Sequence, residues 1–218
     1  MNKNKKISIA KDVINLEIKA LQKLKKSISG SFNEAVMQIT KCQSKVILCG
    51  VGKSGLIASK IAATLSSVGT PSFNLAASDS SHGDLGSISK KDILILISYS
   101  GQTDELKNII QYANRNKILL IGIVSKKDSI LYKAADIKLL IPQVKESGGI
   151  VPTSSTTAQL ALGDALAIAT MQHKKFDKLD FKKLHPADNS SFTSLLTLFS
   201  GVSLNPTSPP KNPQEFGK

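Results

Sequence analysis

Three short stretches of this chain carry the residue types that hold a phosphate. The first is Gly50-Val51-Gly52-Lys53-Ser54-Gly55, a glycine-rich turn between the apolar run 46–49 and a helix predicted over 56–68. A strand that runs through glycines into a helix start makes an anion site. Free N–H groups and the positive end of the helix dipole point at one spot, and the missing side chains let a phosphate approach. The second stretch is Ser98-Tyr99-Ser100-Gly101-Gln102-Thr103, where the apolar run 92–98 gives way to another helix. One hydroxyl suffices to cap a helix; three, with a glycine, form a second cradle. The third is Pro152-Thr153-Ser154-Ser155-Thr156-Thr157, five hydroxyls in a row ahead of a long apolar helix.

The first turn has three readings. A dinucleotide fingerprint is matched by Gly50, Gly52 and Gly55, but it also needs an acid ending the second strand, about 20 positions on. That strand, predicted over 71–75, is followed by Ala76-Ala77 and has no acid at its end. A P-loop ends Gly-Lys-Ser, as Gly52-Lys53-Ser54 does, but its first glycine would have to be Ile47. Both nucleotide readings fail on a named residue, which leaves a phosphorylated small molecule.

The elements that must position these turns alternate. Strands are predicted over 46–49, 71–75, 92–98, 118–124 and 137–141. Helices are predicted over 56–68, 103–116, 129–134 and 155–173, and 76–89 reads as irregular. This pattern predicts an α/β fold, a doubly wound five-stranded parallel sheet flanked by helices with its sites at the strand C-termini. Ahead of it, apolar residues at three- and four-residue steps predict one long helix over 8–40, which Gly30 bends or breaks. From 187 onward the chain is rich in Ser, Thr and Pro, with four prolines in 205–218. That tail is expected to be disordered.

At 218 residues and 41% hydrophobic, the chain suffices for one sizeable α/β domain. No apolar run has the 18 or so residues of a membrane span, and no signal-peptide core follows the basic start, because Lys11, Asp12 and Glu17 interrupt it. A cytoplasmic protein with no membrane partner is expected. The net charge of +13 is carried almost wholly by Lys, with Arg115 the only Arg, and aromatic residues are 5%. Readers of nucleic acid favour Arg and stacking aromatics, so no nucleic-acid partner is expected; the positive field suits an anionic substrate. Cys42 and Cys49 fit no metal or disulfide spacing, and Cys49 lies inside an apolar strand.

Taken in order, the glycine turn, Ser81-His82-Gly83-Asp84-Leu85-Gly86, Ser98-x-Ser-Gly-Gln-Thr, Pro152-Thr-Ser-Ser-Thr-Thr, Gly163-Asp164-Ala165-Leu166-Ala167 and His185-Pro186 resemble the sugar isomerase (SIS) domain. More narrowly, they are similar to the arabinose-5-phosphate isomerases, which interconvert D-ribulose 5-phosphate and D-arabinose 5-phosphate for Kdo and lipopolysaccharide synthesis. The resemblance covers about residues 35–186. It implies a domain over 1–186 and a short form without CBS modules. It also implies a homotetramer with active sites between subunits.

Aldose–ketose isomerisation needs ring opening, an acid/base group to move a proton between C1 and C2, and a partner for the enediol oxyanion. The resemblance assigns Glu105 as the base and Lys53 as the charge near the enediolate. It gives His82 and His185 to ring opening or proton relay and Glu146 to a further charged position. Binding positions are Gly52, Ser54, Gly69, Thr70, Ser98, Ser100, Gln102, Thr103, Ser154, Ser155 and Thr156, with the phosphate among Ser98, Ser100, Thr103 and the turn 154–157. The family reads His-Pro-Gly-Gly where this chain reads His185-Pro186-Ala187-Asp188, and Tyr99 replaces a common Asn. The position of a histidine proposed to hold zinc in some members falls near Ala76, so neither metal nor cofactor is expected. Two rivals remain: an isomerase of another phosphosugar, and a sugar-phosphate sensor without catalysis.

Overall fold

A computed structural model describes residues 3–80 and 83–185. The described residues fall into two units, one up to Asp177 and one from Lys178. The first is built on five parallel strands, β1 (Val46–Gly50), β2 (Ser72–Asn74), β3 (Ile93–Ile97), β4 (Leu119–Val124) and β5 (Ile137–Leu140), in the order β2-β1-β3-β4-β5. The chain moves outward from β1 to β2, then returns to the other side of β1 and continues through β3, β4 and β5. The strand order therefore reverses between β1 and β3, the place where open α/β sheets bind ligands.

The strands read as unbroken apolar runs because both faces are covered. Val46, Leu48, Ile93, Ile95, Ile97, Ile121 and Ile123 face one side. There they pack with α1 (Lys3–Ser27), α2 (Gly30–Lys41), α3 (Lys53–Ser67) and α7 (Ser154–His173). Ile47, Cys49, Leu94, Leu96, Leu120 and Val124 face the other. They meet a short α4 (Ala77–Ser80), α5 (Lys107–Asn116) and α6 (Ile130–Ala134). The alternation is the two-residue period of a strand. Burial pushes the Cys49 thiol up to about 12, against a smaller opposing effect of the Gly50 backbone, so it packs as a small hydrophobe. Among the described residues no helix is long and apolar enough to cross a membrane.

Several elements differ from the sequence reading. The single helix over 8–40 is two. It begins at Lys3 and stops at Ser27, where the Ser27 hydroxyl donates to the Leu24 carbonyl at 2.9 Å. Ser29 is extended (φ −140°, ψ −171°) and Gly30 opens α2. A hydroxyl bonding its own backbone competes with the helix ladder at this point. The helix after the glycine turn starts at Lys53 rather than 56, and the one after the second cradle begins as a 3₁₀ turn, Asp104–Leu106. The irregular stretch 76–89 holds α4 and a 3₁₀ turn, Asp84–Ser87. The second unit contributes α8 (Lys178–Leu184), which the sequence reading left out. His82, Pro186 and the tail 187–218 lie outside the described residues, as does the Ala187-Asp188 departure.

At the N-terminal edge of β3, Asp92 ties the sheet to its loops. Its carboxylate accepts from Ser44 Oγ at 2.6 Å, Lys45 Nζ at 2.9 Å and the Ser89 N–H at 2.6 Å. Burial works to raise its pKa, but the hydrogen bonds from Lys45, Ser44 and Ser89 outweigh it and hold the carboxyl below its ordinary value. A carboxyl so lowered stabilises the fold above its unfolded pKa of about 3.9, and that stability is lost as pH falls through the folded value. Asp92→Asn is therefore expected to cost about 2 kcal/mol in urea unfolding at pH 7. The difference from wild type should shrink steadily once the pH is taken below about 4.

Candidate active site

The two phosphate-type turns emerge side by side. In the β1–β3 ladder Gly50 stands opposite Ile97, so the glycine turn and the loop 98–103 leave the sheet level with each other at the point where strand order reverses. Gly50 and Gly55 are glycines for a packing reason. A Cβ on Gly50 would lie 2.8 Å from the Ser54 backbone, and one on Gly55 would lie 2.8 Å from the Gly50 carbonyl oxygen. The start of α3 thus presses directly on the strand end. Gly52 turns the chain between them (φ 57°, ψ −125°), and Lys53 is the first residue of the helix, exposed.

A cleft of ≈ 330 Å³ opens here. From the glycine turn it is lined by Val51, Lys53 and Ser54, from the second loop by Tyr99, and from the third stretch by Glu146, Ile150, Pro152, Ser155, Thr156 and Gln159. Three segments far apart in sequence therefore converge on one space. Tyr99 bridges two of them, its hydroxyl accepting from the Val144 N–H at 2.9 Å.

The hydroxyls divide into those that build the site and those left for a ligand. Ser98 Oγ accepts from the Gly101 N–H at 3.0 Å and shares a 2.7 Å hydrogen bond with Thr103 Oγ1. Both side chains thus hold the loop in shape. Ser100 Oγ accepts from the Gln102 N–H at 3.2 Å and keeps its own proton available. Thr156 Oγ1 donates to the Thr153 carbonyl at 2.8 Å. Ser154 is fully buried, and its hydroxyl has no partner among the described residues.

Glu146 caps α7 from a distance in sequence. One carboxylate oxygen accepts from the Thr153 N–H at 2.8 Å, the Thr153 hydroxyl at 3.3 Å and the Ser155 N–H at 3.3 Å. Burial works to raise its pKa, but the bonds from Ser155 and Thr153 prevail and hold it below the usual carboxylate value. It stays ionised at the positive end of the helix. It is a cleft-lining carboxylate anchored on one side rather than a free base.

Glu105 stands exposed in the 3₁₀ turn just beyond the second loop, with no hydrogen-bond partner among the described residues. Its neighbour Asp104 is paired with Lys107 at 2.6 Å. Gly69 and Thr70 precede β2, at the opposite end of the sheet from the cleft. There the buried Thr70 hydroxyl accepts from Lys174 Nζ at 2.9 Å, and Gly69 meets the Phe176 ring. His185 belongs to the second unit, where its ring stacks on Phe181 (centroids 3.7 Å apart) and Nδ1 lies 2.8 Å from the Phe181 carbonyl. Sequence reasoning missed Gln159 as a cleft residue. The signal was present: an amide inside an apolar stretch of helix, one turn after Ser155.

Comparison with known proteins gives the family. The family model described as SIS domain matches residues 38–169. An arabinose 5-phosphate isomerase of Yersinia pestis is 44% identical over 178 residues, 81% of this chain and 54% of that protein. One from Francisella tularensis is 42% identical, covering 83% of this chain and 57% of its own length. The chain thus spans a little over half the length of these curated relatives. Among solved structures, a protein of E. coli CFT073 in complex with arabinose 5-phosphate superposes with a TM-score of 0.82 at 38% identity. It covers 85% of this chain, and all of its own chain is covered.

Proposed function

The chain belongs to the SIS domain family, and from that membership we propose that it is a cytoplasmic aldose–ketose isomerase interconverting D-arabinose 5-phosphate and D-ribulose 5-phosphate for Kdo and lipopolysaccharide synthesis. The observation that carries the reading is the register of β1 and β3, which sets two phosphate-type turns level at the switch point and opens both on one cleft.

The phosphate sits against the second loop and the start of α7, where Ser100 offers a hydroxyl proton and the helix N-terminus offers its dipole. The sugar then extends toward the glycine turn. Glu105 takes the proton from C2 of the open-chain aldose, and the C2–H electron pair moves into a C1–C2 double bond. The C1 carbonyl oxygen becomes the enediolate oxygen, which the Lys53 ammonium faces. Return of the proton to C1, with transfer of the O2 proton to O1, completes the ketose with no net gain or loss of atoms. His82 and His185 are assigned ring opening and proton relay. We further propose a homotetramer. Ile150, which lines the cleft, stands 87% exposed, and Leu56, in the first turn of α3, 73%; a neighbouring subunit would cover this apolar surface and enclose the reacting carbons.

The test is an NMR time course of the protein with arabinose 5-phosphate in D2O. Ribulose 5-phosphate should appear, and recovered arabinose 5-phosphate should carry deuterium at C2, the mark of an enediol exchanging with solvent. Saturable binding with no turnover would replace the isomerase with the sugar-phosphate sensor.

A further inference from the structure

Gln159 is a side chain whose hydrogen bonding the cleft leaves half complete. It lies on α7 and is fully buried, yet it lines the cleft beside Lys53 and Ser54. Its Oε1 accepts from Ser54 Oγ at 3.2 Å, while its Nε2 has no partner among the described residues. Buried amide donors are nearly always hydrogen-bonded. One left open against a cleft is a donor held ready for whatever enters. With Oε1 turned to Ser54 and the side chain fully buried, Nε2 is the donor left for a ligand, held in place as transition-state stabilisation requires.

We propose that Gln159 Nε2 donates a hydrogen bond to the O1–O2 end of the substrate and strengthens it as the enediolate forms, acting beside the Lys53 ammonium. This rests on the isomerase reading above. The two donors differ in kind. Lys53 is a mobile charge at a helix start that meets any anion; Gln159 is a neutral, fixed donor that rewards only an oxygen in the right place. The same bond gives Ser54 a direction, because its proton goes to Gln159 and its lone pairs are left for a sugar hydroxyl. Ser54 therefore acts as an acceptor for the sugar, and the phosphate is left to the other loop.

Three variants in the full chain test this: Gln159→Leu, Gln159→Glu and Gln159→Asn. Isomerisation kinetics, thermal midpoints and the affinity for inorganic phosphate are measured for each. Gln159→Leu should lower kcat by about a hundredfold, with phosphate affinity changed less than about threefold and the midpoint close to wild type. Gln159→Glu keeps the shape and the acceptor but replaces the donor with a negative charge beside a developing anion, so it should lose at least as much. Gln159→Asn, shortened, should recover part of the rate. A Gln159→Glu enzyme at full rate would overturn the proposal, since the amide would then act as an acceptor. So would a Gln159→Leu enzyme that loses phosphate binding and rate together, since that is the loss of a packed core. If the wild-type chain shows no turnover, the isomerase reading falls. The Gln159 assignment is then read from binding of the aldonate 5-phosphate, whose C1 carboxylate mimics the enediolate. Equal affinity of wild type and Gln159→Leu for that ligand would end it.

Discussion

Glu105→Gln is expected to lower kcat for arabinose 5-phosphate isomerisation by about a hundred- to ten-thousandfold, the usual contribution of a positioned general base, with KM moved only slightly. The resemblance to the sugar isomerases proposes Glu105 as the base, and two other carboxylates of the same unit are already engaged. Glu146 holds the start of α7 through Thr153 and Ser155, and Asp104 is paired with Lys107. Glu105 is one residue further along the same turn and has neither engagement. A carboxylate that must accept a carbon-bound proton works best when its oxygens are not already bound to donors, because each such bond lowers its basicity. Asp104→Asn is the matched control: it removes a charge from the same turn and should leave kcat within about threefold. Because Glu105 is exposed, neither change should shift the thermal midpoint. A Glu105→Gln enzyme that keeps a tenth or more of its rate, or an Asp104→Asn enzyme that loses it, would move the base elsewhere.

The sheet was legible because a strand buried on both faces leaves a run such as Ile93 to Ile97 with no polar residue in it. The turns were legible because glycine and hydroxyl residues gathered at the ends of those runs. What stayed hidden was what each hydroxyl is bonded to. Ser98 and Thr103 satisfy one another across five residues, and Thr156 satisfies the Thr153 carbonyl; the same letters would read alike if all of them faced the ligand. Glu146 was visible as a charge but not as a cap, since its partners lie seven and nine residues on, beyond a glycine loop. The break between α1 and α2 was foreseen at Gly30, but it falls at Ile28-Ser29 because the Ser27 hydroxyl takes up a helix carbonyl.

Substituting Gly101 should do the greatest damage of any single change in the second loop. Gly101 has φ +65°, a conformation that costs a residue with a Cβ of order 1–3 kcal/mol. Space is lacking too. A Cβ there would fall on the Ser129 hydroxyl and 2.5 Å from Val124 Cγ2. Neither neighbour gives way easily. Ser129 caps α6, accepting from the Tyr132 N–H at 3.3 Å and donating to the Lys126 carbonyl at 2.7 Å, while Val124 ends a core strand. Gly101 also locks the loop to its surroundings: its N–H donates to Ser98 Oγ, and its carbonyl accepts from the Leu131 N–H at 3.1 Å. Gly101→Ala is therefore expected to destabilise the fold by about 2–4 kcal/mol, strain and overpacking together. Because the loop must move to relieve the clash, KM for the sugar phosphate should rise at least tenfold. Adding Ser129→Gly removes the side chain that stands closest and should restore part of the sugar-phosphate affinity while losing the α6 cap, so stability and binding would move in opposite directions. If Gly101→Ala binds the substrate as tightly as wild type, the loop does not hold the phosphate.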